Sequence, residues 1–123
     1  MPSVTLRTQD NLTSAFLLGR DEKVAHVKLD HFSCSSQHAV IQFRKKLKTV
    51  ELTAEEQVAR GTFDAFVQEW IILPYLMDLE STNGTTLNGS KIEPAQYIEL
   101  RSKDCLRFGS SSVEYVFMKQ KDD

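Results

Sequence analysis

Apolar residues come in short runs along this chain, separated by residues that favour turns. The run 15–18 ("AFLL") stops at Gly19-Arg20, and a looser set, Val24, Val27 and Leu29, stops at Asp30-His31. Residues 39–43 ("AVIQF") read as a strand buried on at least one face. Period two then fails across "RKKLKTVELTAEEQVARGTF". Inside that stretch Thr53-Ala54-Glu55-Glu56 fits a capping box, with Thr53 as N-cap, Glu56 reaching back to it and Gly61 as the stop. The pattern predicts one or two helical turns over 54–60, inserted in a surface loop, with a disordered acidic loop as the alternative. Strand character returns at 67–73, and Pro74 marks an edge, bulge or turn. Residues 75–79 then lead into a loop rich in hydroxyls, and further short strands are expected at 97–100, 105–108 and 113–118. Many short strands with turn residues between them predict an all-β sandwich or barrel. The expected core includes Phe16, Leu18, Val40, Ile41, Phe43, Ile72, Leu79, Leu87, Leu106, Tyr115 and Phe117. One domain over 15–119 is expected, with 1–14 as an extension or linker and 120–123 as a tail.

Composition narrows the function more than the fold. A chain of 123 residues, 41% apolar and 26% charged, has the makeup of an ordinary globule and buries roughly two-thirds of its unfolded surface. A net charge of −2 argues against a dominant nucleic-acid or anionic-membrane surface, so neither is an expected partner. No apolar run approaches the ~20 residues that span a bilayer, and the first residues lack the pattern of a signal peptide. Cys34 and Cys105 are too few for a disulfide framework and lack metal-ligand spacing. Free thiols in a reducing compartment are the expectation, with no metal and no cofactor. His26 and His31 lack the partners of a zinc site.

The chemistry concentrates in "LESTNGTTLNG", residues 79–89. Asn-Gly favours a type I′ hairpin turn, which needs positive φ at both central residues. Asn88-Gly89 reads as that turn. Asn83-Gly84 sits among Ser81, Thr82 and Thr85, more donors than a turn requires. The bland reading is a capped tight loop. Two other strand ends shift the balance: Arg20 follows a strand and a glycine, and Ser33, Ser35 and Ser36 precede a strand with His38 at its threshold. Loops emerging together at one end of a sandwich would present one cation, several hydroxyls and turn amides. That set suits a phosphate, with arginine forking onto two oxygens. A Ser-His hydrolase is the competing chemistry, but there is no G-x-S-x-G elbow and no carboxylate placed to orient a histidine.

The ordered series Gly19-Arg20, Ser35-x-x-His38 and Ser81-Thr82-Asn83-Gly84-Thr85-Thr86-Leu87-Asn88-Gly89 resembles a forkhead-associated (FHA) domain, over about residues 16–118. The resemblance implies a sandwich of two antiparallel sheets, recognition loops at one end, phosphothreonine binding and no catalytic residues. It further implies that Arg20 contacts the phosphate, that Ser35 donates its hydroxyl, and that Thr82 adds a contact through side chain or backbone. Asn83 would bond the peptide main chain, and Gly19, His38 and Gly84 would shape the loops. Ser36 stands where relatives often carry Arg, Lys or Asn, and contributes a shorter, neutral donor. Narrower stretches, Ile92 to Tyr97 and Phe108 to Val116, are similar to the Smad nuclear-interacting protein and pre-mRNA leakage protein group. That likeness implies a nuclear setting and, as partners, subunits of a pre-mRNA retention and splicing complex. The inserted "TVELTAEEQVARGTFDAF" has no evident counterpart in the group. Two alternatives to a phosphothreonine-binding module stand beside it: an interaction scaffold of the same fold with a vestigial phosphate site, and a Ser-His hydrolase.

Overall fold

A computed structural model describes residues 15–118 with their side chains and the backbone of 3–7. In chain order the elements are β1 (Ser3–Arg7), β2 (Ala15–Gly19), β3 (Val27–Lys28), β4 (Ala39–Glu51), α1 (Ala54–Arg60), β5 (Phe66–Asp78), β6 (Thr85–Leu87), β7 (Ser90–Lys91), β8 (Ile98–Glu99), β9 (Cys105–Phe108) and β10 (Glu114–Met118). They form two five-stranded sheets, ordered β1-β10-β9-β6-β7 and β3-β2-β4-β5-β8. The β1–β10 and β2–β3 pairs are parallel. The β2–β4, β5–β8, β6–β7, β6–β9 and β9–β10 pairs are antiparallel. The chain divides into two compact units, 1–43 with 74–123, and 44–73.

In the first unit the alternation of each strand builds the core. Leu106 and Phe108 on β9, and Tyr115 and Phe117 on β10, point inward while their neighbours stay half-buried. They join Leu18, Ile41, Leu76, Leu29, Ile92 and Leu100 in one cluster. Burying a side chain of this kind stabilises the fold by about 1.5–3 kcal/mol. The Phe108 ring meets Tyr115 edge-on at 5.3 Å and His38 at 5.5 Å, tying a polar side chain of the loops to the core. Both cysteines are free thiols, with Cys34 inside this core. Burial pushes the Cys34 thiol above its ordinary pKa. Phe16, Val40, Phe43, Leu79 and Leu87 are half-buried rather than central. Pro74 does not end its strand: β5 runs through it, and its carbonyl accepts from the Leu100 N–H at 2.9 Å. A residue's N and O share one edge of an antiparallel strand, so the missing N–H falls beside the end of β8, where it costs a single ladder bond.

The second unit is the outer part of β4, the helix and the outer part of β5. The helix forms as its capping box predicts: the Thr53 hydroxyl accepts from Glu56 N–H at 3.1 Å, and the Thr53 N–H donates to Glu56 Oε1 at 3.0 Å. Gly61 ends it in the left-handed region, at φ 66°. The flanking strands are longer than expected. Polar and apolar positions lose their period here because both faces of a two-stranded ribbon meet solvent, so Arg44, Lys45 and Lys46 are all exposed in succession. Ile72, expected in the core, is 40% exposed on this ribbon, since an apolar strand segment carries no sequence mark of which face is covered. Leu52 and Leu73 are buried.

Candidate functional site

The candidate residues come together where the loops of the first unit meet, and hydrogen bonds show why. Arg20 N–H donates to the Ser35 carbonyl at 3.0 Å and Asp21 N–H to the Ser36 carbonyl at 3.3 Å. These bonds clamp the loop after β2 onto the loop before β4. They require Gly19, because a Cβ there would lie 2.0 Å from the Ser36 carbonyl oxygen. Arg20 Nε then donates to the Cys34 carbonyl at 2.9 Å. That bond fixes the guanidinium plane and leaves both terminal amino groups without a partner among the described residues.

His38 is fully buried and joins two loops. Its Nδ1 accepts from the Ser35 N–H at 3.0 Å, so the hydrogen sits on Nε2, which donates to the Gly84 carbonyl at 2.8 Å. The Gly84 carbonyl also accepts from Gly109 N–H at 2.9 Å, drawing in the loop after β9. Ser35 Oγ accepts from the Thr82 N–H at 3.1 Å, which leaves the Ser35 hydroxyl hydrogen free to donate. Thr82 has spent its backbone donor and offers its side chain. Asn83 Nδ2 donates to the Ser33 carbonyl at 2.7 Å, leaving Asn83 Oδ1 open. Ser36 is exposed, and its hydroxyl takes no partner among the described residues.

The hydroxyls crowded around Asn83 divide into two groups. Ser81 Oγ and Thr85 Oγ1 donate to Asp78 Oδ1 at 2.6 and 2.7 Å, and Ser81 N–H donates to Oδ2 at 3.0 Å. Asp78 is 2% exposed and Thr85 fully buried, so these groups hold the loop from inside. Burial raises the Asp78 carboxyl, but the bonds from Ser81 and Thr85 outweigh it and hold the group below the usual aspartate range. Thr82 and Asn83 stay on the exposed side.

The structure thus brings Arg20, Ser35, Thr82 and Asn83 to one loop cluster, with Gly19, His38 and Gly84 beneath them. Sequence reading missed Asp78, although a carboxylate three residues before a serine, in reach of its hydroxyl and N–H, was a usable signal. It also missed Lys91, whose stem packs where a Cβ on Gly84 would stand, 2.4 Å from Lys91 Cε. Arg20 is therefore not the sole cation at this end. The Cys34 and Ser33 carbonyls that seat Arg20 and Asn83 carry no sequence signal, being backbone. The serine-histidine pair Ser35 and His38 is not a nucleophile and base: the imidazole meets the Ser35 N–H, not its hydroxyl, and its other nitrogen is occupied. A second pair, Ser33 Oγ and His31 Nδ1 at 2.6 Å, involves a serine only 6% exposed whose oxygen also accepts from Ser110 N–H.

Comparison with known proteins identifies the family and the fold. The family model for the FHA domain matches residues 16–109. The chain is 50% identical over 104 residues to a probable serine/threonine-protein kinase of Dictyostelium discoideum, covering 85% of this chain and 6% of that protein. It is 47% identical over 110 residues to Smad nuclear-interacting protein 1 of Mus musculus, covering 89% of this chain and 25% of that protein. The structure of the yeast Pml1 splicing factor, described with its integration into the RES complex, superposes with a TM-score of 0.55 at 36% identity, over 80% of this chain and 55% of that one. The chain spans a quarter or less of the length of the first two relatives, so the likeness concerns one domain of each. A family model that matches residues 16–109, together with the two-sheet fold shared with the yeast splicing factor, settles the assignment: the chain belongs to the FHA domain family.

Proposed function

We propose that this chain is a non-catalytic module that binds a phosphothreonine segment of a partner protein, within nuclear pre-mRNA splicing and retention assemblies. One observation carries the reading: Arg20 is locked by Nε to the Cys34 carbonyl with its terminal amino groups left open among the described residues, and its backbone N–H is bonded to Ser35, whose hydroxyl keeps a hydrogen to donate. A phosphothreonine carries about −1.5 to −2 charges at neutral pH and three acceptor oxygens. Arg20 forks onto two of them, and the Ser35 and Thr82 hydroxyls meet the remainder. Asn83 Oδ1, left open by the bond to Ser33, accepts from the peptide main chain beside the phosphothreonine. Lys91 adds long-range attraction. Gly19, His38 and Gly84 hold the loops in place. The names of the mouse relative and the yeast splicing factor support the nuclear splicing setting and a partner among the subunits of such a complex.

A scaffold with a vestigial phosphate site is the second reading, favoured by Ser36, which supplies only a short neutral hydroxyl at the rim. The hydrolase reading loses its base, since His38 is buried with both nitrogens engaged.

Arg20→Ala separates the first two. It should weaken binding of a phosphothreonine peptide pool at least tenfold, because a charge-assisted bond is worth about 1.5–3 kcal/mol, with stability lowered by no more than about 0.5–1.5 kcal/mol for the lost bond to the Cys34 carbonyl. Arg20→Lys should recover part of the loss, since an ammonium cannot fork. Equal binding by Arg20→Ala would place the phosphate elsewhere and favour the scaffold.

A further inference from the structure

The 44–73 ribbon leaves a large apolar surface in water. Phe66, Gln68, Trp70 and Ile72 on β5 are all exposed, while Val67, Glu69 and Ile71 between them are half-buried. Trp70 is 67% exposed, Phe66 61%, Ile72 40% and Leu47 44%. A ladder bond from Leu52 N–H to the Ala65 carbonyl, 2.7 Å, sets the register of the ribbon. In that register Glu51 stands opposite Phe66, Thr49 opposite Gln68, Leu47 opposite Trp70, and Lys45 opposite Ile72. These eight residues share one face, and all eight are exposed.

The face has a pattern that fits its own copy. Lys45 lies at one end and Glu51 at the other, and neither has an ion-pair partner among the described residues. A two-fold axis through the middle of the face, perpendicular to the strands and in the plane of contact, turns the ribbon end for end. It sets Lys45 of each copy over Glu51 of the other and Ile72 of each over Phe66 of the other. Leu47 and Trp70 gather around the axis. We propose that this face is a self-association surface, through which two copies of the chain pack ribbon on ribbon, antiparallel, about a two-fold axis. The two exposed aromatics leave on the order of 250 Å² of ring surface in water, and Leu47 and Ile72 enlarge the patch to several hundred Å². That falls short of the ~800 Å² per partner of a standard stable complex, so the dimer is weak and depends on concentration. The face involves no residue of the phosphate site.

Trp70 is the chain's single tryptophan, so its emission reports burial of this face directly. Sedimentation equilibrium and tryptophan emission are followed on the full chain from about 1 µM to about 1 mM. The mass should rise towards that of a dimer, with a blue shift of the emission over the same concentration range. Lys45→Glu and Glu51→Lys should each weaken association at least tenfold, by placing like charges together at both ends. The double reversal should restore it to within about threefold, since the charge pattern is then mirrored intact. Trp70→Lys should leave only monomer. A monomer at every concentration overturns the proposal. So does a dimer indifferent to the single reversals, or a double reversal that fails to restore it.

Discussion

The two Asn-Gly pairs of this chain lie a few residues apart and do different work. Asn88 and Gly89 both adopt positive φ, 49° and 86°, and close the tight hairpin between β6 and β7. Asn88 spends its whole side chain on the fold: Nδ2 donates to Asp104 Oδ1 at 3.0 Å, and Oδ1 accepts from Cys105 N–H at 2.8 Å. Asn83 does not enter the left-handed region; only Gly84 does, at φ 84°. Its loop is shaped from below by Asp78 and His38, and Asn83 keeps one amide oxygen free. The same dipeptide is a turn where local backbone preference decides and a recognition tip where buried partners decide. Hydrogen-bonding capacity left over after folding marks the difference.

The strongest way to break this contrast is to remove the support under the first pair. Asp78→Ala strands the Ser81 donors and the buried Thr85 hydroxyl, and should lower unfolding free energy by about 2–4 kcal/mol, read by urea denaturation. A loss below about 0.5 kcal/mol would mean that Asp78 does not hold the loop. The carboxyl also fixes a pH dependence. Its folded pKa lies below the unfolded value near 3.9, so its stabilisation is present above that pH and fades as pH falls through the lower folded value. Asp78→Asn should be less stable at neutral pH and should lack this part of the acid-side decline.

Exchanging the fates of the two asparagines is a finer test. Asn88→Ala forfeits two hydrogen bonds and replaces a residue that tolerates positive φ by one that does not, so stability should fall by about 1–2 kcal/mol with phosphopeptide affinity unchanged within about twofold. Asn83→Ala forfeits only the bond to the Ser33 carbonyl, so it should lower affinity about five- to twentyfold while stability falls by about 0.5–1.5 kcal/mol. Denaturation and titration calorimetry on both variants decide it, and matching profiles would erase the distinction. The smallest effect concerns the ligand's methyl group. Burial of one such group is worth roughly 0.8 kcal/mol, so phosphothreonine should bind several-fold more tightly than phosphoserine with the same flanking residues. Equal affinities would mean that the site grips the phosphate alone.

Legibility followed the range of the interactions. The helix was readable to the residue because Thr53, Glu56 and Gly61 act on their own neighbours. The all-β class was readable because short strands such as 105–108 and 113–118, with turns between them, are local too, whereas the choice of two sheets over a barrel came from the family resemblance. The outer ribbon was not, since exposure on both faces erases the period that marks a strand, and Ile72 was misplaced for that reason. At the loop cluster, Arg20, Ser35, Thr82 and Asn83 were visible as residue types at strand ends. The bond from Arg20 Nε to the Cys34 carbonyl and the Lys91 stem against Gly84 depend on segments distant in sequence meeting in space. No local pattern encodes them.

The central claim is that the loops carrying Arg20, Ser35, Thr82 and Asn83 form one phosphothreonine site. It is tested most directly by mapping amide chemical shifts during titration with a degenerate peptide pool centred on phosphothreonine, and with the same pool unphosphorylated. The account predicts saturable shifts at Arg20, Ser35, Thr82, Asn83 and Gly84 with the phosphorylated pool, and none at these residues with the other. Shifts confined to residues outside these loops, or equal responses to both pools, would contradict it.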